Sequence, residues 1–253
     1  MRLRLCIGTA LCLFAIGLST ARAAFIVEAH SSGKANATNF AIIPGAGNAT
    51  GASASVPSTA LGLAGTNSIF STNNTVAGVV DTYQFSYTPG PNADNTVFAP
   101  QTVLGDTRID PPGNPAGVSA EPQNATGLVG GSSGTYRVYI TWPGSGNVNI
   151  AGSNITITND GAPIILNPVD QNSTAANGPT PSGVGGANKW LLIGTVPLTA
   201  NNTYSVTMAS NADSFVSQRA HGVMWERIPE PSTFVLAGLV CMGMLGARRH
   251  RLA

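Results

Sequence analysis

Apolar and polar residues alternate in short segments through the middle of the chain, which is the pattern of half-buried β-strands. The clearest segment runs from Tyr136 to Trp142, where every second side chain is apolar while Tyr139 takes the opposite face. No long stretch carries apolar residues at helical spacing. Further strands are predicted at Phe25 to Ala29, Val79 to Tyr87, Asn154 to Thr158, Pro163 to Leu166, Trp190 to Val196, Thr203 to Ala209, Asp213 to Ser217 and Gly222 to Arg227.

Connections rich in Gly, Asn, Ser and Pro separate these segments. The longest are predicted at 44–67, 88–96, 110–134 and 171–188. About nine strands in roughly 200 residues suit one sandwich better than two domains. We therefore predict an all-β fold, a single jelly-roll-type β-sandwich over residues 24–227, flanked by an N-terminal signal helix and a C-terminal hydrophobic helix.

The first 23 residues have the three parts of an export signal. Two arginines precede an apolar run from Leu5 to Leu18, and Ala21 and Ala23 form the small-x-small pattern that a signal peptidase accepts. The run is shorter than the ~20 residues that a membrane-spanning helix needs. We therefore predict a signal peptide that is cleaved after Ala23.

The last segment, 228–253, carries a second apolar run, from Phe234 to Ala247. At a rise of 1.5 Å per residue it makes about 21 Å of helix, less than a hydrocarbon layer of ~30 Å. The prolines before the run favour an extended, accessible segment, and the basic cluster after it favours a cytoplasmic end. The flanking residues are Pro229, Glu230 and Pro231 on one side and Arg248, Arg249 and Arg251 on the other.

This order of Pro-Glu-Pro, short apolar helix and terminal arginines resembles the PEP-CTERM sorting signal of Gram-negative bacteria. The resemblance implies transient anchoring in the inner membrane and processing near Pro229 to Pro231 by an exosortase-type membrane protease. Release to the cell surface or extracellular matrix would follow. An ordinary single-span anchor that stays in place is the alternative.

The charges of the middle region argue against a nucleic-acid partner. Between Phe25 and Arg227 six basic residues stand against ten acidic ones, a net charge of −4. Binding to phosphates requires basic clusters, and none occurs here. The cysteines Cys6, Cys12 and Cys241 all lie in the terminal segments. Disulfides, zinc-thiolate sites and cysteine catalysis are therefore excluded from the predicted sandwich.

Four segments follow one another in an order that resembles the golvesin and xanthan-lyase C-terminal domain, a β-sandwich described as carbohydrate-binding-like. The segments are Gly134 to Pro143, Asn167 to Asn172, Asn188 to Thr195 and Ala212 to Val216. The resemblance covers roughly 95 residues, and the closing strand pattern after Ala212 departs from that of the family. It implies a sandwich fold and a contact with extracellular polysaccharide.

Sugar binding needs flat aromatic faces flanked by amide or carboxylate hydrogen-bond partners. Because Tyr139 faces away from Trp142, we predict it as a surface residue, together with the loop amides of Asn147, Asn149 and Asn188. The three tryptophans Trp142, Trp190 and Trp225 are instead expected to fill the sandwich core.

Signals for a metal, a cofactor or an enzyme are weak. Asp106, Asp110, Asp160 and Asp170 could supply oxygen ligands to calcium, but they lack the spacing of an EF-hand, so no metal and no cofactor is predicted. The run from Gly130 to Gly134 satisfies Gly-x-Ser-x-Gly but precedes a strand, whereas a nucleophile elbow joins a strand to a helix.

The sequence thus predicts an exported, non-enzymatic protein of the cell surface or extracellular matrix whose domain contacts exopolysaccharide. A purely structural, self-associating surface protein is the first alternative. A polysaccharide-degrading enzyme is the second.

Overall fold

A computed structural model of the chain describes its central part. The described residues are 22–29, 39–43, 53–60, 62–63, 67–70, 81–92, 94–98, 108–109, 122–128, 131–144, 153–169, 171, 187–210 and 218–228. All of them belong to one compact unit, Ala21–Ile228. The predicted signal helix and sorting tail lie outside the described residues.

The described residues are almost entirely β-strand, with no α-helix among them, so the predicted all-β class is confirmed. They contain fifteen strands. The first five are β1 (Arg22–Glu28), β2 (Phe40–Ile43), β3 (Ser53–Ser55), β4 (Ser68–Phe70) and β5 (Thr82–Tyr87), and the next five are β6 (Asp94–Phe98), β7 (Arg108–Ile109), β8 (Pro122–Leu128), β9 (Gly134–Thr141) and β10 (Ser153–Ile157). The last five are β11 (Ile164–Val169), β12 (Trp190–Leu198), β13 (Tyr204–Ser210), β14 (Arg219–Ala220) and β15 (Gly222–Arg227).

The strands form two large sheets and one small one. The large sheets have the orders β7-β12-β9-β15-β1-β6-β8 and β11-β10-β13-β5-β2, and the small sheet is β14-β4-β3. Neighbours are antiparallel except β12 and β7. In the seven-stranded sheet β1 and β15 pair near the centre, from Ala24 opposite Glu226 to Glu28 opposite Gly222.

One hydrophobic core joins the inner faces of the two large sheets. Alternation along each strand sends Phe25 and Trp225 inward from the seven-stranded sheet to meet Tyr87 of β5. The ring centroids of Phe25 and Tyr87 are 4.8 Å apart and those of Tyr87 and Trp225 are 5.5 Å apart, both stacked. Such pairs add to area burial and fix how the two sheets face each other.

A second, smaller hydrophobic cluster lies on the opposite face of the seven-stranded sheet. It contains Tyr139, Trp190 and Met224, covered in part by Ala60 and Leu63 from the segment after β3. The seven-stranded sheet is therefore buried on both faces over these strands. Trp142 and Trp225 lie in the core between the large sheets, as predicted, whereas Trp190 is buried in the second cluster.

Eight of the nine predicted strand segments coincide with β1, β5 and β9 to β13 together with β15. The ninth, Asp213 to Ser217, lies outside the described residues. The predicted connections were wrong in part: β3 lies within 44–67, β6 begins within 88–96, and β8 lies within 110–134. These strands are short or largely polar, so the alternation of apolar residues does not reveal them.

Candidate functional site

A group of polar side chains is buried on the second face of the seven-stranded sheet. Glu28 of β1, Ser58 after β3, Thr141 at the end of β9 and His221 before β15 are all buried. Residue His221 is fixed by its own backbone, whose N–H donates to Thr141 O (3.0 Å) and whose carbonyl accepts from Ala29 N–H (2.6 Å). We call these four residues the Glu-Ser-Thr-His cluster.

The imidazole of His221 connects the sheet to the segment that covers it. Ser58 N–H donates to Nδ1 of His221 over 2.8 Å, and Nε2 lies 3.6 Å from Glu28 Oε2. Because Nδ1 accepts a backbone hydrogen bond, Nε2 is the ring nitrogen that faces Glu28. His221 thus acts as a clasp between two parts of the chain that are 163 residues apart.

The cluster contains a glutamate, a histidine and a serine, but not in a nucleophilic arrangement. A serine nucleophile gives its hydroxyl proton to the imidazole, whereas here the imidazole receives the backbone N–H of Ser58. The Ser58 hydroxyl is instead shared with Thr141 Oγ1 (2.7 Å) and accepts from Ala60 N–H (3.2 Å). This geometry closes the segment onto the sheet and leaves Ser58 without a base.

Asn188, a predicted ligand-binding residue, lies at the border of this cluster. Its side-chain Oδ1 accepts a hydrogen bond from Thr59 N–H over 3.2 Å, and its backbone N–H donates one to Trp142 O over 2.8 Å. The backbone is left-handed, with φ of 62°, a conformation that Asn tolerates better than most residues. Asn188 is half-buried, and its side-chain carbonyl holds the segment around Ser58 in place.

The prediction that Tyr139 lies at the surface is wrong. The side chain is 0% exposed, and its hydroxyl donates to Glu226 Oε2 over 3.0 Å, with Glu226 only 1% exposed. The alternation was interpreted correctly, since Tyr139 does face away from Trp142. Its face is covered by the second hydrophobic cluster, which the periodicity of a single strand cannot show.

The remaining predicted site residues fall mostly outside the described part of the chain. That holds for Asn147, Asn149, Ala21 and the sorting-motif residues Pro229, Glu230, Pro231, Arg248, Arg249 and Arg251. Ala23 belongs to β1, where it pairs with Val97 of β6. A membrane-crossing helix is likewise not found among the residues that the structure describes.

The large aromatic side chains face inward. All five tyrosines and all three tryptophans of the chain are buried, from Tyr83 at 0% exposure to Tyr204 at 5%. Among the described aromatic side chains, only Phe40 and Phe70 are half-buried. The described surface therefore offers no tyrosine or tryptophan face on which a sugar ring could stack.

Two further sequence candidates have structural partners. The carboxylate of Asp160 accepts hydrogen bonds from Tyr204 Oη and from Thr199 Oγ1, the latter over 3.0 Å, so it joins the turn between β10 and β11 to the connection between β12 and β13. Within the Gly-x-Ser-x-Gly run, Ser132 is exposed and its carbonyl accepts from Tyr136 Oη over 2.7 Å. Asp106, Asp110 and Asp170 lie outside the described residues.

Sequence reasoning missed a second polar group, between the sheets. Gln171 is fully buried, and its amide clamps the backbone of Arg219: Nε2 donates to Arg219 O over 2.6 Å and Oε1 accepts from Arg219 N–H over 2.8 Å. The carbonyl of Gln171 also accepts from Trp142 Nε1 over 3.2 Å. Gln171 and Trp142 both lie in golvesin-like segments, whereas Arg219 lies outside them.

Arg219 is a residue of β14 in the small sheet, and its side chain contacts the other two strands of that sheet. Its Nη1 donates to Ser55 Oγ over 2.7 Å, and its guanidinium lies 5.5 Å from the centroid of the Phe70 ring. Burial lowers the pKa of the Arg219 guanidinium from its usual value. Within the described ranges no three His, Cys, Asp or Glu side chains gather as metal ligands.

Comparison with known proteins gives only a distant likeness in fold. No protein family matches the chain's sequence, and no curated protein matches it either. The structure of a Paenibacillus xanthan lyase matches 82% of this chain and 13% of its own at 15% identity, with a TM-score of 0.43. The insecticidal crystal protein Cry2Aa matches 80% of this chain and 21% of its own at 14% identity, with a TM-score of 0.31. The chain thus spans a small part of each of these proteins, and at these scores neither likeness assigns it to a family.

Proposed function

We propose that this chain is an exported, non-enzymatic protein of the cell surface or extracellular matrix, with a jelly-roll-type sandwich as its structural body. Its two apolar ends would be sorting signals, and neither would remain in the mature protein. The signal peptide would leave after Ala23. The tail would be processed near Pro229 to Pro231 by an exosortase-type membrane protease after transient anchoring in the inner membrane.

The observation that carries this proposal is the position of the central strand pair. Every pair between β1 and β15 lies from Ala24 to Glu28 on one strand and from Gly222 to Glu226 on the other. Cleavage after Ala23 and beyond Ile228 would therefore keep this ladder whole. It would remove only the pairs of Arg22 and Ala23 with β6 and leave the pair of Ala24 with Thr96.

A structural role for the body is supported by how its chemical groups are used. In the Glu-Ser-Thr-His cluster, Ser58 is hydrogen-bonded to His221 and to Thr141, and His221 lies beside Glu28. The tyrosines and tryptophans form the two hydrophobic clusters. Both sets of residues hold the fold together, as expected of a body that contacts its surroundings through a polar surface with few charged groups.

The test is mass spectrometry of the protein recovered from the cell surface of its own organism. The expected N-terminus is Ala24, and the expected C-terminus lies near Pro229 to Pro231. A variant with Pro229, Glu230 and Pro231 all changed to Ala should keep its tail and remain with the inner membrane, while Pro197→Ala, a matched change in β12, should be processed normally. Surface protein that retains Arg248 to Arg251 would refute the processing.

Contact with exopolysaccharide is the second candidate function. It is favoured by the golvesin-like segments, of which β9 and β12 pair directly and Gln171 joins β9 to Arg219. With the large aromatics buried, such contacts would use hydrogen bonds from loop amides, including Asn147 and Asn149. A pull-down with the organism's own exopolysaccharide should recover the protein. Failure to recover it, with crosslinked homo-oligomers formed in the absence of sugar, would favour self-association instead.

A further inference from the structure

Several buried oxygen atoms at one end of the space between the two large sheets accept no hydrogen bond. They are both carboxylate oxygens of Asp81 and the side-chain oxygens Oγ of Ser153 and Oε1 of Gln218, and none has a hydrogen-bond partner among the described residues. Asp81 and Ser153 are 0% exposed and Gln218 is 1% exposed. A buried polar group without a partner costs about 1–3 kcal/mol, and a charged one costs more.

The strand register brings Asp81 and Ser153 to the same end of the five-stranded sheet. Ser153 pairs with Ser210, and the pairing of β13 with β5 places Met208 opposite Tyr83. Asp81 immediately precedes β5, and the same register continued by two residues would place it opposite Ser210. Asp81 and Ser153 are therefore two strands apart, about 10 Å between backbones at a spacing of ~4.8 Å. Both residues are at positions that alternate in step with the inward-facing residues of β5 and β10.

Gln218 enters the same region from the chain before β14. Its Nε2 donates to the carbonyl of Met208 over 2.7 Å, and its own carbonyl lies 3.5 Å from Tyr83 Oη. The donor side of the amide is thus held by β13, and Oε1 remains as an acceptor beside the end of the sheet. Three residues distant in sequence therefore place four acceptor oxygens in one buried region.

The chemistry of this set favours a cation. A carboxylate and an amide oxygen are acceptors only, and a single proton on Asp81 would satisfy one of the oxygens and leave the others. A hard cation that takes oxygen ligands from carboxylate, amide and hydroxyl groups would satisfy them together. It would also balance the buried charge of Asp81.

We propose that Asp81, Ser153 and Gln218 form part of a calcium-binding site at this end of the sandwich. Calcium takes 6–8 oxygen ligands, so backbone carbonyls or water complete the shell around these four oxygens. Because the site has only one carboxylate, we expect weak binding of calcium, with a dissociation constant of about 10⁻⁴–10⁻³ M, as in extracellular calcium-binding modules. The site would link the ends of β5 and β10 to the start of β14 and so fasten the five-stranded sheet to the small one.

The test is calcium-dependent thermal unfolding of the full-length chain in mild detergent. With calcium at tenfold its dissociation constant, the folded-to-unfolded ratio should rise about elevenfold, which raises Tm by roughly 3–5 °C for a domain of this size. Magnesium at the same concentration should give a much smaller shift. The carbonyls of Gln218 and Met208 lie near Tyr83, so terbium in place of calcium should show tyrosine-sensitised emission that calcium displaces.

Asp81→Asn is the decisive variant, because it keeps the size of the side chain and removes the charge. In the presence of a calcium chelator, this variant should be at least as stable as the parent. Added calcium should not raise its Tm. Asp160→Asn, the same change at an aspartate with its own hydrogen-bond partners, should retain that shift. If Asp81→Asn fails to fold, Gln218→Met provides the test, with calcium affinity expected to fall about tenfold.

Two results would overturn the proposal. One is a parent protein that shows neither a calcium shift nor sensitised terbium emission. The other is a calcium shift that survives in Asp81→Asn and Gln218→Met alike, which would place the ion elsewhere in the chain.

Discussion

Replacing Tyr139 by Phe removes one hydroxyl from the second hydrophobic cluster and nothing else. The hydroxyl donates to Glu226 Oε2 over 3.0 Å, and both side chains are buried. Tyr136 lies three residues earlier on β9 and faces the other way, with its hydroxyl donating to the backbone carbonyl of Ser132 over 2.7 Å. The same Tyr→Phe change therefore removes a hydrogen bond to a carboxylate at one position and to a backbone carbonyl at the other.

The expected losses differ because the acceptors differ. A hydrogen bond to a carboxylate contributes about 1.5–3 kcal/mol and one to a neutral carbonyl about 0.5–1.5 kcal/mol. Taking an m-value of about 2 kcal/mol per M in urea, Tyr139→Phe should lower the midpoint of unfolding by about 1 M and Tyr136→Phe by about 0.5 M. The m-values themselves should not change, because neither variant alters the surface exposed on unfolding.

The assay is urea unfolding at pH 7, followed by tryptophan fluorescence, which reports Trp190 in the second cluster and Trp142 and Trp225 in the first. The double variant with Glu226→Gln completes a cycle that isolates the tyrosine–glutamate term. Equal losses for the two tyrosine variants, or a coupling of zero between Tyr139 and Glu226, would contradict the assignment of a buried pair. If Tyr139→Phe instead weakened polysaccharide binding without lowering stability, Tyr139 would have to be a surface residue.

Two further variants test the covering segment and one end of the sandwich. His221→Ala removes the acceptor for Ser58 N–H, so it should lower the free energy of unfolding by about 1–3 kcal/mol and speed proteolytic cleavage near residue 58. His221→Asn can still accept a hydrogen bond and should lose less stability. Equal cleavage rates for the parent and the Ala variant would contradict the role of His221 in holding the segment around Ser58. Gly131→Ala should destabilise by at least about 1–3 kcal/mol, because φ there is +86° and an added Cβ would lie 2.4 Å from the N atom of Gly90. Gly161→Ala, at an exposed turn, is its control, and a difference below about 0.5 kcal/mol in urea unfolding would refute the close approach.

The fold class and the main strands could be predicted because alternation is a local signal. The segments of β5, β9, β10 and β13 each have every second side chain buried in the first core, and each was recognised from sequence. Strand β8, Pro122–Leu128, has no such alternation, and β7 is two residues long. Their pairing depends on neighbours far along the chain, which no local pattern contains.

The candidate site was harder to predict because its partners are remote in sequence. His221 has no histidine at metal-binding spacing, and its contacts are Ser58, 163 residues away, and Glu28. Tyr139 was misplaced for a related reason: alternation gives the direction of a side chain but not what covers it. The buried aspartate Asp81 immediately precedes β5, and no sequence feature marks it.

The central ladder between β1 and β15 also determines when the body can finish folding. The partners Ala24 and Glu226 stand at opposite ends of the sandwich sequence, so closing this pair requires nearly the whole chain. Until β15 is available, β1 and β9 would each present a bare edge in the middle of what becomes the largest sheet. During synthesis or export, such a chain would need to be kept from pairing with other copies until its last strand arrives. Truncation before Gly222 should therefore yield aggregates instead of a smaller folded protein.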